Sequence, residues 1–502
     1  MTYIETFTDS TGQSKQLELR FHRESRLRYR VEKLKDLEAN DYSLLRDYIA
    51  HHESIQRPRI QELYDYAEGN NHDISKVGRR REEDMADARA IHNFGKAIAS
   101  FKQGYLVGNP IRVDYEEDDA TDGALKELSK LNDFHQLNRS LVLDLSKVGR
   151  AYDLVYRAKD DTTRTVKLDP LGTFVIFDMT LENHSVAGVR YYQKSQFDAS
   201  IKIVELYTNS RIITFEYDGN LNEIDSKPHA FGLVPITEYL NTGNGMGDYE
   251  TELSLIDLYD GAQSDTANYM QDLSDAILAV FGRISFPENV DTAEKQIEFM
   301  KQMRSARFMN FEPPTDNGGK DAGSVDAKYL YKQYDVNGTE AYKKRVVNDI
   351  HKFTNTPDMT DESFSGVQSG EAMKWKVFGL DQERVDMQAL FERSLKRRYR
   401  LIATVSTLLK EIKDFDVAKL KVTFTPNLPK SLQEKIDAFQ ALGGELSKET
   451  AMQITDIVDD PKAEIKKISE EEQSASRMSR VIAINERMSD SDLAKEVIVD
   501  EE

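Results

Sequence analysis

Between residues 371 and 411 the chain keeps one helical stripe with no proline, and it enters that stretch through a segment with almost nothing to pack. Met373, Val377, Leu380, Met387, Phe391, Tyr399, Ile402 and Leu409 recur at helical spacing, with Gly379 as the one interior glycine. Upstream, Tyr342, Val346, Val347, Ile350 and Phe353 mark a second helix over about 338–356. Ser363, Phe364, Ser365, Gly366, Val367, Gln368, Ser369 and Gly370 lie between the two. They predict a small, flexible loop that exposes Phe364 and Val367 and has no core of its own.

A third long helix is expected over 248–282, which holds eight acids and no Lys or Arg. Leu253, Ile256, Tyr259, Met270, Leu273 and Ile277 give it a packing face, and Gly261 is a place for it to bend. Glu250, Asp257, Asp265 and Asp272 are spaced seven, eight and seven apart, so they share one side of an ideal helix. Uncompensated like charge destabilises a helix. Either a basic partner covers this stripe, or it faces open solvent or a lumen.

Elsewhere the pattern is mixed. Residues 1–43 are expected to be flexible. A helical pattern follows to about residue 107, interrupted at "QRPR" and "EGNNHD". Gly108 and Pro110 then end a helix before the alternating Ile111, Val113 and Tyr115. Over 150–240, runs such as "AYDLVYRA", "TFVIFDM" and "IKIVELYT" predict a predominantly antiparallel sheet. Residues 283–337 form a compact insertion, with "ARFMNFE" and "AKYLYKQYDV" as strands of a hairpin or small sheet. After the strand-like "KLKVTFTP", the remainder is helical and ends in an acidic tail. The fold class is α+β and mainly helical.

Motifs for chemistry are missing. "GGKDAG" at 318–323 has Asp321 where a phosphate loop needs Ser or Thr. "GNGMG" at 243–247 reads as a flexible linker. "DDATDG" at 118–123 has Ala120 at position three and Ser129 at position twelve, so it cannot hold calcium as an EF-hand loop does. The adjacent His51 and His52 point to different helix faces and make no zinc clamp. Cysteine is absent, which removes thiolate chemistry. No cofactor is expected, and scattered acids single out no two-metal set.

The 502 residues carry a net charge of −21, with 88 acids against 67 bases. Tight nucleic-acid binding is electrostatically disfavoured, whereas a surface past which DNA slides is not. No apolar run of about 18 residues predicts a membrane span, and the N-terminus lacks the pattern of a secretory signal. The one dense basic cluster is "RSLKRRYR", where Arg393, Lys396, Arg397 and Arg400 share one helix side. It is expected to pair with acids within the chain or across subunits rather than with DNA.

Three stretches carry a resemblance to a known family: "QGYLVGNPIRV" at 103–113, "GVQSGEAMKWKVFGLDQE" at 366–383, and "LSKETAMQI" with "VDDPKAEIKKISEEE" over 446–472. In order and spacing, over roughly 44–472, the chain resembles the portal proteins of tailed bacteriophages, of the type found in Bacillus phage SPP1. The resemblance implies a non-enzymatic ring, normally of twelve subunits, at one capsid vertex. Double-stranded DNA would pass through it without sequence specificity during packaging, retention and ejection. It also implies a wing at 44–247, stem helices at 248–282 and 338–359, a clip at 283–337 and a tunnel loop at 360–370. A long wing helix and following strand would occupy 371–430, and a crown 431–502. Glu250, Asp257, Asp265 and Asp272 become an acidic channel stripe, and Arg393, Lys396, Arg397 and Arg400 an intersubunit cluster.

Implied partners are terminase, a head-completion or adaptor protein, and scaffolding and major capsid proteins. The protein would be assembled in the host bacterial cytoplasm and reside in the virion. A metal-dependent nuclease or phosphohydrolase built from the acidic residues, or a non-channel scaffolding protein, are the rival readings.

Overall fold

The computed structural model describes residues 3–478 apart from 9, 80–85, 199, 273–276, 282, 285, 288, 306–310, 314–325, 331–334, 359–376, 428–431, 443–445, 456–457, 459–460 and 462–463. The chain divides into two compact units, Met1–Asn427 and Leu428–Glu502. Its class is α+β and mainly helical.

The first unit opens on β1 (Tyr3–Thr8) and β2 (Ser14–Leu19), an antiparallel hairpin that pairs Tyr3 with Leu19. This corrects the expectation of flexibility over 1–43, which also contains β3 (Tyr29–Arg30) and the start of α1 (Leu34–His51). Short polar strands give little periodic signal, and Gly12, at φ +80, supplies the turn. Helix α1 is interrupted at 39–42, where Asn40, Asp41 and Tyr42 take positive φ. The break expected at "QRPR" is a π-helical turn, His52–Gln56, leading into α2 (Arg57–Glu68).

Helices α3 (Phe94–Val107), α4 (Asp119–Leu131) and α5 (Phe134–Val148) follow, with β4 (Arg112–Asp114) after α3. Asp118, from the rejected calcium motif, caps α4 by accepting the Thr121 N–H. Two sheets then form rather than one. Strands β5 (Arg150–Arg157), β6 (Thr163–Leu168) and β12 (Ile236–Leu240) make a three-stranded sheet ordered β12-β5-β6. Strands β7 (Thr173–Phe177), β8 (Ser185–Gln193), β9 (Lys202–Tyr207), β10 (Arg211–Tyr217) and β11 (Leu221–Pro228) join β3 in a sheet ordered β11-β10-β9-β8-β7-β3. All its pairs are antiparallel except β3–β7. A Cβ on Gly188 would come within 2.9 Å of the Ile236 side chain, so the two sheets meet closely there. Val175, Phe177, Val234 and Ile236 fill the space between them.

The stem-like part differs from expectation. Helix α6 is Leu253–Asp272, not 248–282, and β13 (Ile277–Phe281) follows as a strand. "ILAVF" pairs antiparallel with β16 (Asp326–Leu330), so a remote strand decides its conformation. Strand β14 (Arg283–Ile284) pairs with β15 (Phe311–Glu312), and α7 (Ala293–Ser305) lies between them. The expected strands 306–312 and 327–336 thus contribute β15 and β16, each paired with a strand that follows α6 rather than with each other. Helix α8 (Val336–Phe353) returns and packs on α6 through Val346, Ile350, Leu253 and Ile256.

Helix α9 (Phe378–Leu408) is the longest. Its Phe391, Leu395 and Ile402 enter the largest core with Leu141 and Leu145 of α5 and Ala151 and Val155 of β5. Beyond it, β17 (Lys421–Thr423) pairs antiparallel with β4, which joins two stretches read from sequence as isolated strands. The second unit contains α10 (Leu432–Leu442) and α11 (Lys448–Thr455). Among the described residues no helix is long and apolar enough to cross a membrane.

Candidate functional site

Helix α6 and the turn before it carry the acids singled out above, and the structure places them in different surroundings. Glu250 is buried in the turn ahead of α6. Arg59 of α2 donates Nε to its Oε1 at 2.8 Å and Nη2 to its Oε2. Arg26 reaches Oε1 at 2.9 Å, and the Gly247 N–H reaches Oε2 at 3.1 Å. Burial alone would raise the Glu250 pKa, but the hydrogen bonds and charge of Arg59, with Gly247 and Arg26, hold it below the ordinary value.

Asp257 accepts Arg20 Nη1 at 2.6 Å and the Tyr66 hydroxyl at 2.5 Å. Arg20 also bonds Glu62 at 2.8 Å. Glu250 and Asp257 are therefore covered by bases of their own chain. For these two acids the structure has the first of the two sequence alternatives, a basic partner over the stripe, and that partner is intrachain. Asp265 differs: its side chain is 67% exposed, with Arg79 Nη2 at 3.0 Å. Asp272 is the last residue of α6.

The same helix holds a second polar row that was not singled out. Asp260, Ser264 and Asn268, four apart, are fully buried. They accept the backbone N–H groups of His92, Ala90 and Ala88 at 2.9, 3.0 and 2.6 Å. Four helical residues rise about 6 Å and two extended residues about 6.6 Å, so alternate amides of a strap meet every fourth side chain. Asp260 also accepts from Asn71 Nδ2 at 2.8 Å and lies 2.9 Å from His92 Nδ1. Burial raises its pKa. Replacing Ser264 and Asn268 with Ala should speed amide exchange at Ala90 and Ala88 about fivefold or more, since each loses a bond worth roughly 1 kcal/mol. Unchanged exchange at both amides would refute the ladder.

The basic cluster on α9 is also divided. Arg397 donates to Ser185 Oγ at 2.6 Å, Val234 O at 2.8 Å and Thr237 Oγ1 at 3.3 Å, all neutral oxygens. Lys396 pairs with Glu392 one turn away at 2.8 Å. Arg393 and Arg400 are exposed. The neighbouring Arg398, not singled out, is fully buried. It donates Nε to Asp153 Oδ2 at 2.6 Å and Nη1 to Asn138 Oδ1 at 2.9 Å. The Tyr239 hydroxyl donates to the same Asp153 oxygen at 2.7 Å.

A signal for this pair exists in the sequence. Arg398 continues the spacing of Phe391, Leu395 and Ile402, and Asp153 alternates with Ala151 and Val155. Each charge sits on an apolar face, where only pairing makes burial tolerable.

The loop residues Ser363, Phe364, Ser365, Gly366, Val367, Gln368, Ser369 and Gly370 lie outside the described residues. The "GNGMG" stretch is no free linker. Asn241 N–H bonds Gly149 O at 3.0 Å and Asp248 N–H bonds Ser146 O at 2.8 Å, which clamps the loop onto the α5–β5 turn. Gly149, at φ +81, makes that turn, and a Cβ there would run into the Gly245 carbonyl. Among the described residues, no three His, Asp or Glu side chains are grouped to hold a metal ion.

Comparison with known proteins bears on this arrangement. Residues 46–478 match the family model described as phage portal protein, SPP1 Gp6-like. The portal protein of Clostridium phage phiCD119 is 23% identical over 393 residues, which cover 73% of this chain and 82% of that protein. The portal protein of Bacillus phage SPP1 is 24% identical over 411 residues, covering 76% of each. Among solved structures, a chain from the neck of an empty GTA particle, computed with C6 symmetry, aligns over 72% of this chain and 90% of its own, with a TM-score of 0.38 and 14% identity. A chain from the neck of the native particle, with C12 symmetry, gives 0.38 and 13% over 72% and 89%.

Proposed function

We propose that this chain, which belongs to the SPP1 Gp6-like family of phage portal proteins, assembles as a ring of about twelve copies at one capsid vertex. Viral DNA enters, is retained and leaves through that ring. The observation that carries this reading is the match to the family over 46–478, nearly the whole described chain. In this reading the protein is a component of the virion and performs no catalysis, the packaging ATPase being a terminase that docks on the ring. Head-completion or adaptor proteins, scaffolding protein and the major capsid protein are its other partners.

The same reading assigns a role to each part of the chain. The two sheets with α1–α5 and α9 act as the wing, and the α6–α8 pair as the stem. The insertion between them acts as the clip that meets terminase and adaptor, and residues 431–502 act as the crown. The uncharged residues at 363–370, and the absence of any Lys or Arg over 360–370, suit a loop beside moving DNA, because fixed cations would make deep wells on a polyanion. Of the four acids first grouped as a channel stripe, Asp265 is the exposed one with a described side chain, and we assign the lumen-facing role to it together with Asp272. Asp265→Lys with Asp272→Lys should then slow DNA packaging severalfold while rings still form. Packaging at the normal rate by such rings would remove the assignment.

Negative-stain electron microscopy with native mass measurement tests the main reading. Rings of about a dozen copies with a central hole are expected. A monomer or compact dimer across salt conditions would overturn it.

A further inference from the structure

We infer that a cavity on the basic side of α9 is an anion site built to receive carboxylates of a second copy of this chain. The inference rests on the ring reading and names a contact that closes it. The cavity, of about 410 Å³, lies between α9, β12 and the turn from β7 to β8. Arg28, Arg393, Lys396, Arg397, Arg400 and His184 bring basic groups to its wall. Two of these are already matched: Arg28 by Glu238 at 2.6 Å and Lys396 by Glu392 at 2.8 Å. Arg397 has only neutral acceptors, and Arg393 and Arg400 have no carboxylate within ion-pair distance among the described residues. Besides Glu238, the one acid on the wall is Glu182, which sits 3.4 Å from His184. Three guanidinium groups thus converge with little compensating charge.

Burial, with the repulsion of Arg400, draws the Arg397 pKa down to about 10, so it stays charged at neutral pH at some cost. An anion entering the cavity would offset the lost solvation and the repulsion with an opposite charge. Planar guanidinium groups suit bidentate carboxylates.

The rim decides between carboxylate and phosphate. Leu181 and Met179, in the same turn that lines the cavity with Glu182 and His184, are 105% and 63% exposed. A protein partner would bury these apolar tips, whereas a duplex backbone would leave them in water. A second copy carries 88 acids against 67 bases, so its surface presents carboxylates in excess. A head-to-tail contact of unlike faces is the kind that generates a closed ring.

Arg400→Lys keeps the charge and adds a primary amine. Zero-length carbodiimide coupling of assembled R400K, followed by peptide mass spectrometry, should join the amine introduced at position 400 to an Asp or Glu of another copy. R393E/R400E, both at exposed positions, should fold with an unchanged far-ultraviolet spectrum yet need roughly tenfold or more protein to form rings. M179S/L181S should weaken assembly in the same direction.

R393E/R400E rings that form at the wild-type concentration would overturn the inference while leaving the ring reading intact. So would loss of DNA retention with assembly unaffected, which would mark a phosphate site. A wild-type chain that never assembles would overturn both.

Discussion

Arg398→Ala is expected to destabilise the first unit by about 3–5 kcal/mol, the usual consequence of removing one partner from a buried ion pair. Arg398 and Asp153 are both fully buried, and their bond ties α9 to the three-stranded sheet. Truncation leaves Asp153 charged among Ala151, Val155 and Tyr239, with only the Tyr239 hydroxyl as donor. Arg398→Lys should fall between wild type and Ala, because a compact ammonium cannot serve Asp153 and Asn138 with the spread of a guanidinium. Arg398→Met with Asp153→Leu should recover most of the loss, since apolar replacement of both partners is often neutral or better. Urea unfolding followed by intrinsic fluorescence measures all three. Equal destabilisation by the single and double variants would show that packing, not charge pairing, sets the cost.

Glu250→Ala should cost about as much, roughly 3–5 kcal/mol, for the converse reason. It strands Arg59, which is 2% exposed and would keep only the carbonyls of Val148 and Gly245. The pH dependence separates this role from one in a channel. The folded-state pKa of Glu250 is lowered from 4.5, so its contribution is fully present above about pH 4.5. It is lost as pH falls through the folded value. Glu250→Gln should therefore be less stable than wild type at neutral pH, and the gap should close on acidification below 4.5. Asp260 acts in the opposite sense. Its folded pKa is raised from 3.8, so its burial costs stability as pH rises through that window. Unfolding midpoints at pH 7 and pH 4 check both signs. A gap between wild type and E250Q that persists unchanged at low pH would show that the Glu250 charge is not what Arg59 needs.

Much of the architecture was readable locally. The stripe of α9, the β-rich runs of β5, β7, β9 and β10, and the helix end at Val107 followed by β4 all follow from periodicity, residue type and turn residues within a few positions. The end of α6 was not. "ILAVF" reads equally as helix or buried strand, and its pairing with β16 about fifty residues later decides the matter. The acids of the α6 region were visible, but their bases were not. Arg20, Arg26 and Arg59 stand roughly two hundred residues away, where no spacing rule reaches.

By itself the sequence determined the α+β class, the long helices α8 and α9, the absence of thiol chemistry and the order of parts that marks the portal family. These depend on local periodicity, on composition and on motif order, all properties of a linear chain. Only the tertiary structure decided which charges are spent within the protomer and which remain. Glu250, Asp257 and Arg398 are closed off by partners brought from afar, Asp265 stays exposed beside Arg79, and Arg393 and Arg400 stay at the surface with no carboxylate among the described residues in ion-pair reach. Burial and pairing depend on three-dimensional neighbours, and a charge's availability for DNA or for another subunit depends on them in turn.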